Sequence, residues 1–178
     1  MRRRSQGPAQ GRAQAPAIDI LVQSPLWNSK RDARAVLRRA IRKASSVLST
    51  GGELAVVLAD DSTLRALNRT WRHKDAPTNV LAFPAEGVPA RDGNRHGTPR
   101  LLGDIVIAYE TTAREAQAQG KSFADHLVHL AVHGFLHLTG YDHEDDDEAE
   151  TMERLESTIL AELSVPNPYA APGVSVGR

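Results

Sequence analysis

The chain has 178 residues, 40% of them hydrophobic and 25% charged, with three Phe, three Tyr, two Trp and no Cys. That length carries one domain with a largely aliphatic core, and the lack of Cys excludes disulfides, thiolate catalysis and every metal site that needs sulfur. The net charge of zero hides a gradient: residues 1–50 hold eleven Lys and Arg against two Asp, whereas residues 140–162 hold ten acids and one Arg, and a basic N-terminal half suits a polyanion such as nucleic acid, although a basic helix face is also an ordinary solvated one.

Residues 1–16, MRRRSQGPAQGRAQAP, have no apolar period and are expected to be a disordered basic tail. No apolar segment follows the Arg-rich start, and no run approaches the roughly 20 residues that span a bilayer. The expectation is therefore a cytoplasmic protein with no membrane partner. IDILVQ (18–23) is the first predicted strand. Val36, Leu37, Ala40, Ile41, Ala44, Val47 and Leu48 then recur at helical spacing, with Arg34, Arg38, Arg39 and Arg42 opposite. This helix ends near Gly51 and Gly52. ELAVVLA (53–59) is a second strand, DSTLRALNRTW a short helix and TNVLAFP (78–84) a third strand. A polar loop rich in Gly, Pro and Arg (85–100) leads to LLGDIVIAYE, which is apolar on both faces and expected at the sheet centre. Thr112 with Glu115, and Ser122 with Asp125, have capping-box spacing and are expected to start two helices, the second running to about Leu138. A last helix carries Met152, Leu155, Ile159, Leu160 and Leu163 on one side, and its acidic start EDDDE is the charge that a helix N-terminus favours. A flexible Pro/Gly-rich tail is expected over 165–178. Interleaved strands and helices predict a single domain over 17–164, built as one mixed four-stranded sheet packed with helices.

HGFLHLTGYDH (133–143) carries the chemistry. His133 and His137 are four apart on a predicted helix, so both imidazoles lie on one face a turn apart. Gly140 ends the helix by accepting left-handed backbone angles, and the chain can turn back to bring His143 to the same ion. Three neutral imidazoles with water in the fourth position describe an open zinc site. The same spacing occurs in metzincin peptidases, where a Glu after the first His is the general base; here Gly134 stands there, which argues against peptide hydrolysis by that route. His126 and His129 share the helical face and either line the approach to the metal or simply pack. Asp142 is a candidate partner that orients an imidazole, or else a cap for the last helix.

WRHKDAPTNVLAFP (71–84), LLGDIVIA (101–108) and the histidine motif together resemble the YbeY family, bacterial endoribonucleases of ribosomal RNA maturation, over roughly residues 18–163. The resemblance implies an α+β fold with the zinc site on a helix and the following turn. It implies one Zn2+ per chain, held by His133, His137 and His143, and a functional arginine at Arg72, so that Arg72 and His133 are the expected catalytic residues. An Arg holds a phosphate through paired, charge-assisted hydrogen bonds, and Lys74 adds a point charge; His129 and Asp142 are the expected site-lining or ligand-orienting residues. The implied activity is a zinc-dependent, single-strand-specific endoribonuclease in ribosomal RNA processing, including maturation of the 3′ end of the 16S RNA, and in ribosome quality control. Its implied partners are a single-stranded ribosomal RNA precursor and the ribosomal small subunit or its assembly factors. Two other functions stay open on the residues alone: an RNA-binding assembly factor with a structural zinc, and a metallopeptidase. The departures from the family pattern are the tail before Ile18, the loop 86–100, and Asn79, where Asp is also common.

Overall fold

Alternation within the strands decides which helix lies on which face of the sheet. The computed structural model describes residues 15–85, 100–143 and 145–169; the expected tail at 1–14, most of the polar loop (86–99) and the end of the C-terminal tail (170–178) lie outside them. The strands are β1 (Ala17–Val22), β2 (Glu53–Ala59), β3 (Val80–Pro84) and β4 (Leu101–Ala108). They form one sheet in the order β1-β2-β4-β3, in which β1, β2 and β4 run parallel and β3 pairs antiparallel with β4. The fold is a single α+β domain with a mixed four-stranded sheet. β4 lies inside the sheet, as its two apolar faces required.

Side chains alternate across a strand, so Ile105 and Ile107 join Val56 and Leu58 in a large core on one face, while Val106 and Ala108 join Leu64 and Leu81 in a smaller core on the other. The large core is closed by α1 (Ala33–Val47), α4 (Phe123–Leu138) and α5 (Asp146–Glu162), and the small one by α2 (Asp61–Arg72). A short 3-10 turn, Pro25–Ser29, was not expected from the sequence; it seats the buried Trp27, whose Nε1 donates to the Ala59 carbonyl at 2.8 Å.

The third helix corrects one boundary. α3 spans Tyr109–Ala118 and follows β4 without a break, so Thr112 lies inside it and is no cap. The Thr112 hydroxyl donates back to the Ala108 carbonyl, and the helix start is capped from outside: Asp61 accepts from the Thr111 amide and Glu110 from the Asp61 amide, both at 2.9 Å. Two helix N-termini thus cap each other, each offering a carboxylate to the other's orphan donors. The other two expected acidic starts form locally. Ser122 accepts from the Asp125 amide, and Asp145 from that of Glu148.

At the C-terminal end, Val165 donates its amide to the Leu160 carbonyl and packs on the large core, while Tyr169 bonds to Glu156. The first residues of the expected tail are therefore fastened to α5. Among the described residues no helix is long and apolar enough to cross a membrane.

Candidate metal centre

α4 runs through the large core and is buried on nearly every side, through Leu127, Leu130, Ala131, Val132, Phe135 and Leu136 among others. A helix apolar all round belongs in the interior. Its polar stripe consists of His126, His129, His133 and His137, which follow one another at intervals of three and four residues along one face. His126 is buried, and its Nε2 lies 2.8 Å from Glu115 Oε2, away from the other three histidines' cavity. The packing alternative therefore holds for His126. His129, His133 and His137 are partly exposed and line a cavity of about 250 Å³.

Gly140 has φ +90°, where a side chain would be strained. Its amide donates to the His137 carbonyl and that of Tyr141 to the Leu136 carbonyl, both at 3.1 Å. These are the two bonds of a Schellman cap, which ends the helix and reverses the chain. The reversal brings His143 back, its ring centroid 5.1 Å from that of His137 and 5.8 Å from that of His133. One nitrogen from each of the three imidazoles falls within 4.8 Å of the others.

The donor set fits a metal ion. His133 Nε2 and His137 Nε2 are 3.2 Å apart, close to the edge of about 3.3 Å that tetrahedral zinc with Zn–N bonds of about 2.05 Å requires. Each ring has a carboxylate beside its other nitrogen: Glu156 Oε2 is 3.5 Å from His133 Nδ1, and Asp142 Oδ1 is 3.8 Å from His137 Nδ1. A carboxylate there favours a proton on Nδ1, and in that tautomer both Nε2 lone pairs would face one another across a space that suits a cation. Burial, followed by the neighbouring His133 and His143, lowers His137 to about 4. It is therefore neutral, the ligating form, well below neutral pH. Asp142 also accepts from the His143 amide at 2.8 Å, which stiffens the turn.

Arg72, the last residue of α2, lines the same cavity, and its charge is among those that depress His137. His73 follows in a left-handed conformation (φ +56°). The next turn is drawn back onto α2 by two bonds from Arg65 to Asp75, at 2.8 and 3.0 Å, and one from Asn68 Nδ2 to the Ala76 carbonyl at 2.8 Å. Thr78 and Asn79 thereby reach the cavity. Lys74 is exposed on that turn and stands outside the cavity lining. Asn79 Nδ2 donates to Glu115 Oε2 at 2.8 Å; an amide suits this position because Asp would set a second negative charge against Glu115.

Two residues escaped the sequence reading. Glu156 on α5 is fully buried, with Oε1 3.2 Å from His129 Nε2 and Oε2 near His133, and the Tyr169 hydroxyl donates to Oε2. Burial raises the Glu156 carboxyl, but hydrogen bonding from His129 and His133 outweighs it and brings the group to about 2. Burial and then Glu156 itself push Tyr169 well above the ordinary phenol range, which keeps it a donor. The available signal was an acid at position 156 within the apolar stripe Met152, Ile159, Leu160 and Leu163.

Gly134 faces the sheet. A Cβ at this position meets Ile105 Cγ2 at 3.0 Å and Cδ1 at 3.2 Å. Gly134→Ala should therefore forfeit the roughly 1 kcal/mol that replacing a helical Gly normally gains, because the contact must be relieved at a cost of about 1–3 kcal/mol. Gly134→Glu should lose the fold and gain no proteolysis. Urea denaturation and casein digestion test both, and a 1 kcal/mol gain in the Ala variant would show that α4 can lift off β4 freely.

A family model described as Endoribonuclease YbeY matches residues 23–164. A protein of Rhodopseudomonas palustris strain BisA53 named Endoribonuclease YbeY is 53% identical over 158 residues, which cover 87% of this chain and 91% of that protein. One of the same name from Bradyrhizobium diazoefficiens is 51% identical over 158 residues, covering 87% and 86%.

Proposed function

This chain belongs to the YbeY family of metal-dependent endoribonucleases, and on that premise we propose that it cleaves single-stranded RNA at the centre formed by His133, His137 and His143, with zinc as its ion. The observation that carries this reading is the donor set. Three imidazoles converge, no carboxylate joins their cluster among the described residues, and Arg72 lines the same cavity. An ion held by three protein ligands keeps a position for a reactant. A structural zinc needs a fourth, and what speaks against Asp142 in that part is that its Oδ1 lies 3.8 Å from His137 Nδ1, whereas the nitrogens that pair at 3.2 Å are the Nε2 atoms.

When bound, zinc supplies Lewis acidity for a phosphate oxygen or a water made nucleophilic near neutral pH. The chain's own residues do the rest. Arg72 grips the scissile phosphate through paired donors and meets the negative charge that grows on its oxygens. The helix and the Gly140 reversal fix the direction of the three imidazoles. Gly134 offers no proton-transfer group where a peptidase has one, and the role proposed for Lys74 narrows to guiding RNA from outside the cavity. Chelation of the metal-loaded protein should abolish digestion of a single-stranded RNA, and the His137→Ala variant should lack it. Equal digestion by the chelated protein or the variant would trace the activity to a contaminant and end this reading.

The proposal extends to ribosomal RNA processing, including maturation of the 3′ end of the 16S RNA, and to quality control on cytoplasmic ribosomes. Among the described residues only Trp71 and Tyr169 are exposed large aromatics, too few to read a sequence base by base, so the selectivity is assigned to docking on the small subunit or an assembly factor. The basic face of α1 is the proposed contact. Arg39 is committed to the Leu163 carbonyl at 3.0 Å, while Arg34 and Arg42 are exposed and Arg38 is half-buried. Arg38→Glu with Arg42→Glu should weaken co-sedimentation with ribosomes and flatten its salt dependence while leaving zinc content unchanged. Identical co-sedimentation of parent and variant across a salt series would remove this face from consideration.

A further inference from the structure

A carboxylate taken out of water is costly unless it is paired, and Glu156 is the one fully buried acid among the described residues. It sits in the middle of the apolar stripe of α5, where a Leu would fill the space at no electrostatic cost. Both of its oxygens turn to α4: Oε2 is 3.5 Å from His133 Nδ1, and Oε1 is 3.2 Å from His129 Nε2. The Tyr169 hydroxyl donates to Oε2 from beyond the end of α5. The opposite nitrogen of His133 faces His137 at 3.2 Å.

We propose that Glu156 is a positioning residue for the metal centre: it holds the proton of His133 on Nδ1 so that the Nε2 lone pair faces the ion, and Tyr169 locks that carboxylate in place from the C-terminal segment. An imidazole left to itself prefers the proton on Nε2, and in that tautomer a proton would point where the ion must sit. The buried carboxylate reverses the preference by giving an Nδ1 proton an anion to bond. His129 Nε2, 3.2 Å from Oε1, flanks the other oxygen of the same carboxylate. Tyr169 also lines the cavity and is 41% exposed, so the chain after α5 closes one wall of the site with the side chain that fastens it.

This inference rests on the proposed centre for its metal consequence, yet its core, the tautomer of His133, is readable without any ion. Nitrogen NMR of the metal-free full chain should place the His133 proton on Nδ1. In Glu156→Gln and Glu156→Leu it should move largely to Nε2. Leu preserves the apolar stripe of α5 and keeps the test alive if Gln unsettles the fold. Zinc affinity, measured by competition with a chromophoric chelator, should fall about 10–100-fold in both variants and by a smaller factor in Tyr169→Phe. The cobalt-substituted variants should show altered ligand-field bands. A parent with the proton on Nε2 overturns the proposal. So do variants that lose stability but keep the parent's tautomer and affinity, since the carboxylate would then merely tie α5 to α4. Uptake of a second cobalt that disappears in Glu156→Gln overturns it too, by making Glu156 a ligand. A parent that shows the expected tautomer but binds no zinc upholds the orienting role and defeats the zinc reading instead.

Discussion

The doubly substituted protein His133→Ala/His137→Ala will hold no stoichiometric zinc after metal reconstitution, whereas the parent will hold one ion per chain. Those two rings supply the pair of nitrogens 3.2 Å apart on one rigid helix. What remains is His143, on an exposed turn, and one imidazole alone does not retain an ion against a chelator. The helix itself should survive. The substitutions lie on its partly exposed stripe, Ala is the best helix former, and the faces bearing Phe135 and Leu136 stay packed. His133→Ala also deprives Glu156 of one of its donors, at a cost of about 1–3 kcal/mol; His137→Ala alone is the gentler control. Metal analysis with circular dichroism separates the two effects. Unchanged binding in the folded double variant would remove the centre from this helix.

Arg72→Ala will lower RNA cleavage by about a hundredfold or more, the scale of losing one donor that stabilises developing charge, and will leave zinc content and fold intact. Arg72 is exposed at the C-terminal end of α2, where its charge favours the helix dipole by only about 0.3–1 kcal/mol. Its loss therefore barely touches stability. Arg72→Lys should be impaired as well, because an ammonium keeps the charge but lacks the planar fork that grips two oxygens. Cleavage by Arg72→Ala at the parental rate, with zinc content confirmed, would show that the phosphate is met elsewhere.

What could be read from the sequence was whatever depends on neighbours a few residues away. β2 spans the residues expected of it, and the two apolar faces of β4 announced a place inside the sheet. His133, His137 and His143 were legible because a helical turn, a glycine stop and a short reversal are all local. Features built from distant parts of the chain were not. Thr112 and Glu115 have the spacing of a cap, yet α3 starts three residues earlier because Asp61, 50 positions away, receives the Thr111 amide. Glu115 goes instead to Asn79 and His126. Glu156 was hidden because sorting α5 into apolar and polar faces sends every acid outward. Tyr169, within a segment whose Pro and Gly content reads as a tail, was hidden with it. Lys74 is close to Arg72 in sequence, but a left-handed residue stands between them and Lys74 is not among the residues that line the cavity.

The contact between Gly134 and Ile105 bears on what this architecture is able to become. A side chain at position 134 would begin with a Cβ 3.0 Å from Ile105 Cγ2, so even the smallest replacement asks Ile105 to give by a few tenths of an ångström. Trimming Ile105 would relieve that contact, but it would open a void in the larger core at a cost of about 0.5–1.5 kcal/mol for a single methyl group. A carboxylate at the position that a peptidase uses would therefore carry a packing cost on the sheet side of the helix. The spacing of the histidines is shared with peptidases, but the way the helix lies on its sheet makes position 134 a costly place for the peptidase's acid.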